Sequence, residues 1–394
     1  MKPQEIIITA AKRTPIGAFQ GQFSGTPAPQ LAAAVIQAAL VESNLSEHQI
    51  DELLMGCVLP AGLGQAPARQ AALLAGLSLD TPCSTINKVC GSGMKTAMLA
   101  ADSIKAGSAS IVMAGGMESM SRAPYLDQAR RQGARFGHGE LLDHMLFDGL
   151  QNAADGEAMG MFAEHCAEHF SFSRDQLDAF ATESVNRAIT ACSSGAFNDE
   201  ITPVTIKTRK GEQVIDIDET PGRCDTSKIP SLRPAFKKDG VITAANSSSI
   251  SDGAATLVIM SDEAAREQGV KPLARIIAHS SHAMLPEEFT LAPIHAIERL
   301  YQITGWRDSD VDLYEINEAF AAVTMGVIHD LKLDHARVNI NGGACALGHP
   351  IGASGTRIIV TLLHALRQRG GGRGIAALCI GGGEATAMAI ETVT

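Results

Sequence analysis

One cysteine, Cys90, stands in TINKVCGSGMKTAMLAADSIKAG (85–107), between a short apolar run and a long alanine-rich amphipathic stretch, with Gly91 and Gly93 beside it. The amphipathic stretch predicts a helix that begins at this corner. A thiol at a helix start meets unpaired backbone N–H groups and the positive end of the helix dipole, which favours thiolate over thiol and makes Cys90 a candidate nucleophile. The same N–H groups could hold the oxyanion formed when that sulfur attacks a carbonyl, and the glycines permit a sharp turn and close approach of a substrate. Read alone, CGSG fits equally well a buried cysteine at a helix cap with glycines that merely turn the chain.

Three further groups could complete such chemistry. His349 precedes Pro350 in NGGACALGHPIGASG, where glycines at 342, 343, 348, 352 and 355 constrain the loop, so its ring can aim a nitrogen into a cleft as base or hydrogen-bond donor. Cys379 follows the apolar run IAAL and precedes IGGG, at the end of a predicted buried strand, where ligands sit in α/β sheets. A second thiol that accepts and donates a proton beside a thioester suits carbon-acid chemistry. Asn317, in EINEAF after the apolar-acidic DVDLY, offers an amide for a water or a carbonyl oxygen; without context EINEAF reads as the first turn of a helix. The histidines at 165, 169, 279, 282, 295 and 364 show no spacing with acidic or thiol partners that specifies a metal, and no metal site is expected.

These residues need a frame. Apolar runs ending in glycine alternate with amphipathic stretches: EIIIT, then the helix APQLAAAVIQAALVES, then ELLMGCVL, then ASIVMAGG, a strand expected to stop at Gly115 and Gly116. From about Ser121 to Asn246 charges accumulate around helical stretches such as EAMGMFAEHCAEHF and RDQLDAFATESVNRAITACSSG, which predicts an inserted loop domain. Afterwards the first rhythm returns. Cys90 opens C-G-S-G, a helix and the strand SIVMAGG; His349 opens H-P-I-G-A-S-G, the helix TRIIVTLLHALRQRG and the strand IAALCIGGG. A duplicated unit with matching corners would bring Cys90, His349 and Cys379 together across a pseudo-twofold axis. The expected division is residues 1–120 as the N-terminal half, completed by about 247–270, then 121–246 as the loop domain and 271–394 as the C-terminal half.

Composition agrees with a large enzyme. The 394 residues exceed the usual size of one core, with 45% hydrophobic, only 4% aromatic and 38 glycines, a balance that suits sheets and helices in close approach. A formal net charge of -11 argues against a nucleic-acid partner but allows a local basic pocket for a small anion. Eight scattered cysteines without C-x-x-C pairs read as reduced thiols. The opening MKPQEIIITAAKRTPIGAF lacks the charged-then-apolar layout of a secretory leader, and no long apolar run suggests a membrane span, so a cytoplasmic location away from membranes is expected.

With Cys90 in NKVCGSG, Asn317 in NEAF, His349 in GHPIGASG and Cys379 in CIGGG, the sequence resembles the thiolases from RTPIG to its last strand. Length and loop domain resemble the acetyl-CoA acetyltransferase branch. The resemblance implies a duplicated five-layered α-β-α-β-α sandwich with an inserted loop domain that receives coenzyme A, assembled as a homotetramer, a dimer of dimers. It implies that Cys90 takes the acyl group, that His349 activates Cys90 and helps bind the thioester oxygen, and that Cys379 moves the proton of the second acetyl-CoA. Asn317 would hold a water in one oxyanion hole, and the N–H groups of Cys90 and Gly381 would form the other. Ser248 matches the serine that contacts the pantetheine chain, Phe236 and Phe320 match pocket residues, and Met159, Ala319 and Phe289 fall beside the same pocket. Acyl-CoA and coenzyme A are then substrates, and no separate cofactor is implied.

The sequence departs from the family pattern where acyl preference is set. Ala158 stands where biosynthetic members usually carry histidine, Phe289-Thr290 replaces a common Met-Gly pair, and Cys345 replaces an aliphatic residue. Three other readings compete: a 3-ketoacyl-CoA thiolase of longer or substituted chains, a papain-like hydrolase using Cys90 and His349, and a non-catalytic acyl-CoA or lipid carrier. The hydrolase leaves Cys379 and the repeat unexplained; a carrier would be marked by loss of a catalytic residue.

Overall fold

The computed structural model describes residues 5–133, 135–209 and 211–393. Among the described residues nine principal strands form from the apolar, β-branched runs: β1 (Ile6–Arg13), β2 (Glu52–Gly56), β3 (Cys83–Ile86), β4 (Ile111–Ser119), β5 (Ser251–Ser261), β6 (Ala274–Ala283), β7 (Leu313–Ile316), β8 (Arg373–Ile380) and β9 (Glu384–Thr392). They join in one sheet in the order β7-β8-β9-β6-β1-β5-β4-β2-β3, with the short strand Gly17–Ala18 added to the start of β5. The seam is narrow: only Ile7 with Arg275 and Ile8 with Ala274 pair β1 to β6.

Both sides of the seam repeat one pattern. On one side β3, β2 and β4 are parallel, and β4, β5 and β1 antiparallel. On the other, β7 and β8 are parallel, and β8, β9 and β6 antiparallel. A parallel bridge from Tyr314 to Val338 stands where β3 pairs with β2. The chain is therefore duplicated in three dimensions, as its rhythm suggested.

Eight longer helices accompany the strands: α1 (Ala28–Ser43), α2 (Pro67–Ala75), α3 (Ser92–Lys105), α4 (Met159–His169), α5 (Arg174–Ser194), α6 (Ala292–Thr304), α7 (Ala321–Leu331) and α8 (Ile351–Gln368). Three cores order the layers. Leu31 and Val35 of α1 pack with Leu53 and Met113 on the outside of the N-terminal half. Met94 and Ala97 of α3 and Ile358 and Leu362 of α8 fill the space between Leu257 and Val112 of one half and Leu378 and Ile390 of the other. Ile297 and Leu300 of α6 cover Ile375 and Ala387 on the far side. The result is helix, sheet, paired helices, sheet, helix: a five-layered sandwich with α3 and α8 at its centre.

The central helices touch because glycine lets them. A Cβ on Gly355 would stand 2.3 Å from the Met94 nitrogen, and one on Gly93 2.7 Å from Thr356 Oγ1. Such approach leaves no room for a methyl group in a close-packed interior. The same reason corrects the expected end of β4. The strand continues through Gly115 and Gly116 to Ser119, paired to β5 along its length. These glycines do not stop the strand; they admit neighbours, since a Cβ on Gly116 would lie 2.1 Å from the Gly352 carbonyl oxygen. Gly116→Ala is accordingly expected to lower unfolding free energy by about 3 kcal/mol, read as a shifted urea midpoint. An unchanged midpoint would contradict this close packing.

Residues 121–246 carry α4, α5, a short pairing of Tyr125–Leu126 with Leu142–Asp143, and the hairpin Val204–Thr208 with Gly211–Ile215. Arg13 of β1 ties this segment to the sheet through buried ion pairs with Glu200 and Asp218, at 2.5 and 2.7 Å. α5 runs against α7 and the short helix Ala344–Leu347, so the insertion leans on the C-terminal half. EINEAF is also not a helix start: Leu313–Ile316 is strand, and α7 begins only at Ala321. Among the described residues no helix is long and apolar enough to cross a membrane.

Candidate active site

Cys90 sits one residue before the N-cap of α3, which is Gly91. The sharp turn into the helix falls not on a glycine but on Val89, at φ 46°, a left-handed conformation that costs a β-branched residue energy and is held by its surroundings. Ser92 is part of that restraint: its Oγ accepts from the Lys88 N–H at 2.8 Å and donates to the Val89 carbonyl at 2.6 Å. Gly91 has a right-handed helical φ of -79°, and its lack of a side chain serves another purpose. A Cβ there would stand 2.3 Å from Ile380 Cδ1, at the end of β8 in the other half. Lys88 also forms an ion pair with Glu384 across the halves. The two repeats thus meet at the cysteine corner.

The matching corner supplies the imidazole. Gly348, at φ 108°, turns the chain into His349, whose N–H donates to the Ser249 carbonyl at 3.0 Å. Ser354, in the first turn of α8, donates its hydroxyl to the Pro350 carbonyl at 2.9 Å and so accepts from His349 Nδ1. The proton therefore sits on Nδ1 and Nε2 carries a free lone pair. Nε2 is buried and has no hydrogen-bond partner among the described residues. Burial, and then the charge of Arg357, hold the His349 pKa down at about 3, so the ring is neutral and able to accept a proton.

Cys90 and His349 line one cavity of about 420 Å³ with Ser248, Met159, Phe236, Phe320, Ala319, Phe289 and Gly381. Its walls are mainly apolar, with the Ser247–Ser249 stretch providing polar groups. Phe236 and Phe320 meet edge to face at 6.1 Å, and Phe289 meets Phe162 the same way at 6.2 Å, so packed aromatic rings form part of the cavity wall. Ala158 lies on this wall and contributes no polar group. A larger cleft of about 850 Å³ beside Lys12, Gln37 and Thr202 holds no thiol or imidazole.

The thiol of Cys90 is not the expected thiolate. Burial pushes its pKa up to about 11, although the N–H groups of Gly381 and of Cys90 itself, both aimed at the sulfur, pull it down. Desolvation beside the apolar cavity outweighs the helix end. Alkylation of Cys90 by iodoacetamide is therefore expected to speed up about tenfold per pH unit from pH 6.5 to 9.5 without levelling off. A plateau below pH 8 would show a thiolate at rest.

Cys379 and Asn317 are placed behind the cavity wall rather than on it. Cys379 is fully buried among Phe289, Ala319 and Phe320. Burial first, and then the proximity of Cys90, hold its thiol pKa well above the ordinary value. The Asn317 backbone N–H donates to the Ala377 carbonyl at 2.9 Å, two residues before Cys379 on β8. Its side-chain Nδ2 is buried without a partner among the described residues. Cys345 is buried with its N–H donating to Glu318 at 3.1 Å, away from the cavity wall.

Two supports were not anticipated. Glu118 at the end of β4 accepts from the N–H groups of Val58, Leu59 and Gly352 at 3.0, 3.1 and 2.9 Å, fastening the start of α8 to the N-terminal half. Burial raises its pKa to about 7. A lone carboxylate closing an apolar strand was its only trace in the sequence. Ser354, which orients His349, lay in plain view inside GHPIGASG. Among the described residues no group of three or more His, Cys, Asp or Glu is placed to hold a metal ion.

Comparison with known proteins gives one answer. Residues 6–263 match the family description "Thiolase, N-terminal domain", and residues 270–392 match "Thiolase, C-terminal domain". Over 389 residues the chain is 47% identical to an acetyl-CoA acetyltransferase of Pseudomonas aeruginosa, covering 98% of this chain and 99% of that one. It is 48% identical to one from Escherichia coli, with 98% of each covered. A crystal structure of the Bacillus anthracis acetyl-CoA acetyltransferase superposes with a TM-score of 0.96 at 41% identity, covering 99% of both chains.

Proposed function

The chain belongs to the thiolase family, and from that premise we propose that it is an acetyl-CoA C-acetyltransferase, reversibly joining two acetyl-CoA molecules to acetoacetyl-CoA and coenzyme A. One observation carries the reading. Cys90, beneath the Gly381 N–H, and the unpartnered Nε2 of His349 come from opposite halves to one apolar cavity. The activity of these relatives, acetyl-CoA acetyltransferases, supports it.

In the first half, His349 Nε2 takes the Cys90 proton as the sulfur attacks the thioester carbon of acetyl-CoA. The oxyanion forms against the N–H groups of Cys90 and Gly381. Its collapse breaks the bond to the coenzyme A sulfur, which leaves with a proton from Cys379. In the second half, the Cys379 thiolate takes a proton from the methyl group of a new acetyl-CoA, and the enolate oxygen lies toward His349, now able to donate, and Asn317. The carbanion attacks the acetyl carbon on Cys90, the Cys90 sulfur leaves, and the His349 proton returns to it. Atoms and charges balance without a metal or redox cofactor; coenzyme A thioesters are substrates. The high pKa of the buried Cys379 suits this role, because a thiolate that is hard to form is a strong base once formed.

The bulk of Phe289 and Phe320 on the cavity wall supports acetyl over longer chains. The site residues present the whole set a carrier would have lost. Exposed Tyr125, Phe136 and Leu141 in the insertion, and Leu73, Leu74 and Leu79 beside the edge strand β3, suit assembly into a cytoplasmic homotetramer, which light scattering would check. The activity is tested by mixing the protein with acetoacetyl-CoA and coenzyme A. Loss of the enolate–magnesium absorbance with formation of two acetyl-CoA is expected, and no turnover at any chain length would sink the enzymatic reading.

A further inference from the structure

Arg357 is buried in α8, about two turns beyond His349, and carries a guanidinium that the mechanism above does not use. Its Nη1 donates to Glu315 Oε1 at 2.8 Å, and its Nη2 donates to Asn317 Oδ1 at 3.5 Å. A guanidinium can only donate, so the amide oxygen of Asn317 must be the atom that faces it. Nδ2 is thereby turned the other way, where it is buried and has no partner among the described residues. Without such a partner an amide can present either atom, and a wrong choice would set an oxygen lone pair against a developing oxyanion.

The charges around Arg357 come from several elements. Glu315 lies in β7, Glu318 follows that strand, Glu200 approaches from the insertion, and His349 precedes α8. Burial raises the Glu315 pKa to about 8, while Arg357 opposes the rise and Glu318 and Glu200 add to it. The Arg357 charge also helps hold His349 neutral. One side chain thus acts on both unpartnered groups of the site, the Asn317 amide and the His349 ring.

We propose that Arg357 is a positioning residue for the carbon–carbon half of the reaction: by holding Asn317 Oδ1 it presents Nδ2 as the donor to the thioester oxygen, directly or through a water. The inference rests on the thiolase reading above. It weights the two halves differently, because acylation builds its oxyanion against the N–H groups of Cys90 and Gly381, which Arg357 does not touch, and burial, the larger influence on His349, keeps that base neutral without the arginine. Only the enolate depends on the Asn317 amide. A purely structural ion pair with Glu315 would make no such distinction.

The test measures two rates on the intact protein: acetylation of Cys90 by radiolabelled acetyl-CoA, and exchange of the acetyl-CoA methyl hydrogens with deuterium oxide followed by NMR. Wild-type protein that is not acetylated would overturn the thiolase reading itself. With acetylation in hand, Arg357→Met is expected to slow methyl exchange about 10²-fold while acetylation stays within tenfold. Glu315→Gln, which keeps the arginine on Asn317, should leave both within about fivefold. If Arg357→Met is not recovered folded, Arg357→Lys carries the same test, since an ammonium can pair with Glu315 but lacks the fork that spans both partners; exchange should fall about tenfold and acetylation stay unchanged. Parallel loss of both rates, loss of neither, or Glu315→Gln matching the arginine variant on exchange would overturn the proposal.

Discussion

Cys90→Ala is expected to lower kcat for thiolysis of acetoacetyl-CoA by at least about 10⁴-fold, with coenzyme A still bound and circular dichroism unchanged. The size follows from what the sulfur does. Both halves of the reaction pass through a covalent bond to it, so the variant retains only binding and the residual effect of the oxyanion donors. The fold should tolerate the change because Cys90 lies on a cavity wall and the turn is held elsewhere, by Val89 and by Ser92. Retained turnover within about tenfold of wild type would remove Cys90 from the mechanism.

The second large effect is selective. Cys379→Ser is expected to slow condensation and methyl-hydrogen exchange by about 10³-fold, whereas acetylation of Cys90 should fall only about tenfold. An alcohol is a far weaker acid than a thiol, so serine offers no thiolate-like base to the methyl group. It can still lie near the departing coenzyme A sulfur. The side chain is fully enclosed, so the hydroxyl adds a desolvation cost of about 1–2 kcal/mol, and the unfolding midpoint must be measured beside the rates. Equal loss of acetylation and exchange would place Cys379 in the acylation step alone or in the packing of the site.

Much of this arrangement was legible in the chain. Cys90 and His349 open two glycine-rich corners followed by the same helix and strand, and that repetition by itself implies a duplicated fold with the corners facing each other. The shared cavity shows the pair where the repeat put them. What local reading could not supply was set by residues hundreds of positions away. Gly91 and Gly93 look like turn residues until Ile380 and Thr356 are seen against them. Gly115 and Gly116 look like a strand end until β5 and α8 occupy the space they leave.

The ionisation of Cys90 is hidden from the local sequence for the same kind of reason. A helix start is visible in sequence and argues for a thiolate, but desolvation beside an apolar cavity is a tertiary fact and the larger influence. Arg357 was invisible because an arginine in an amphipathic helix usually reads as a solvated face. Here α8 is the middle layer of five, buried on all sides, and its arginine is surrounded by Glu315 and Asn317 instead of water.

The most direct measurement is mass spectrometry of the protein after brief incubation with acetyl-CoA and acid quenching. A single acetyl group on the peptide containing Cys90, removed on adding coenzyme A, is the expected result. An acetyl group confined to Cys379, or none at all on a protein that turns over acetoacetyl-CoA, would contradict a covalent relay through Cys90.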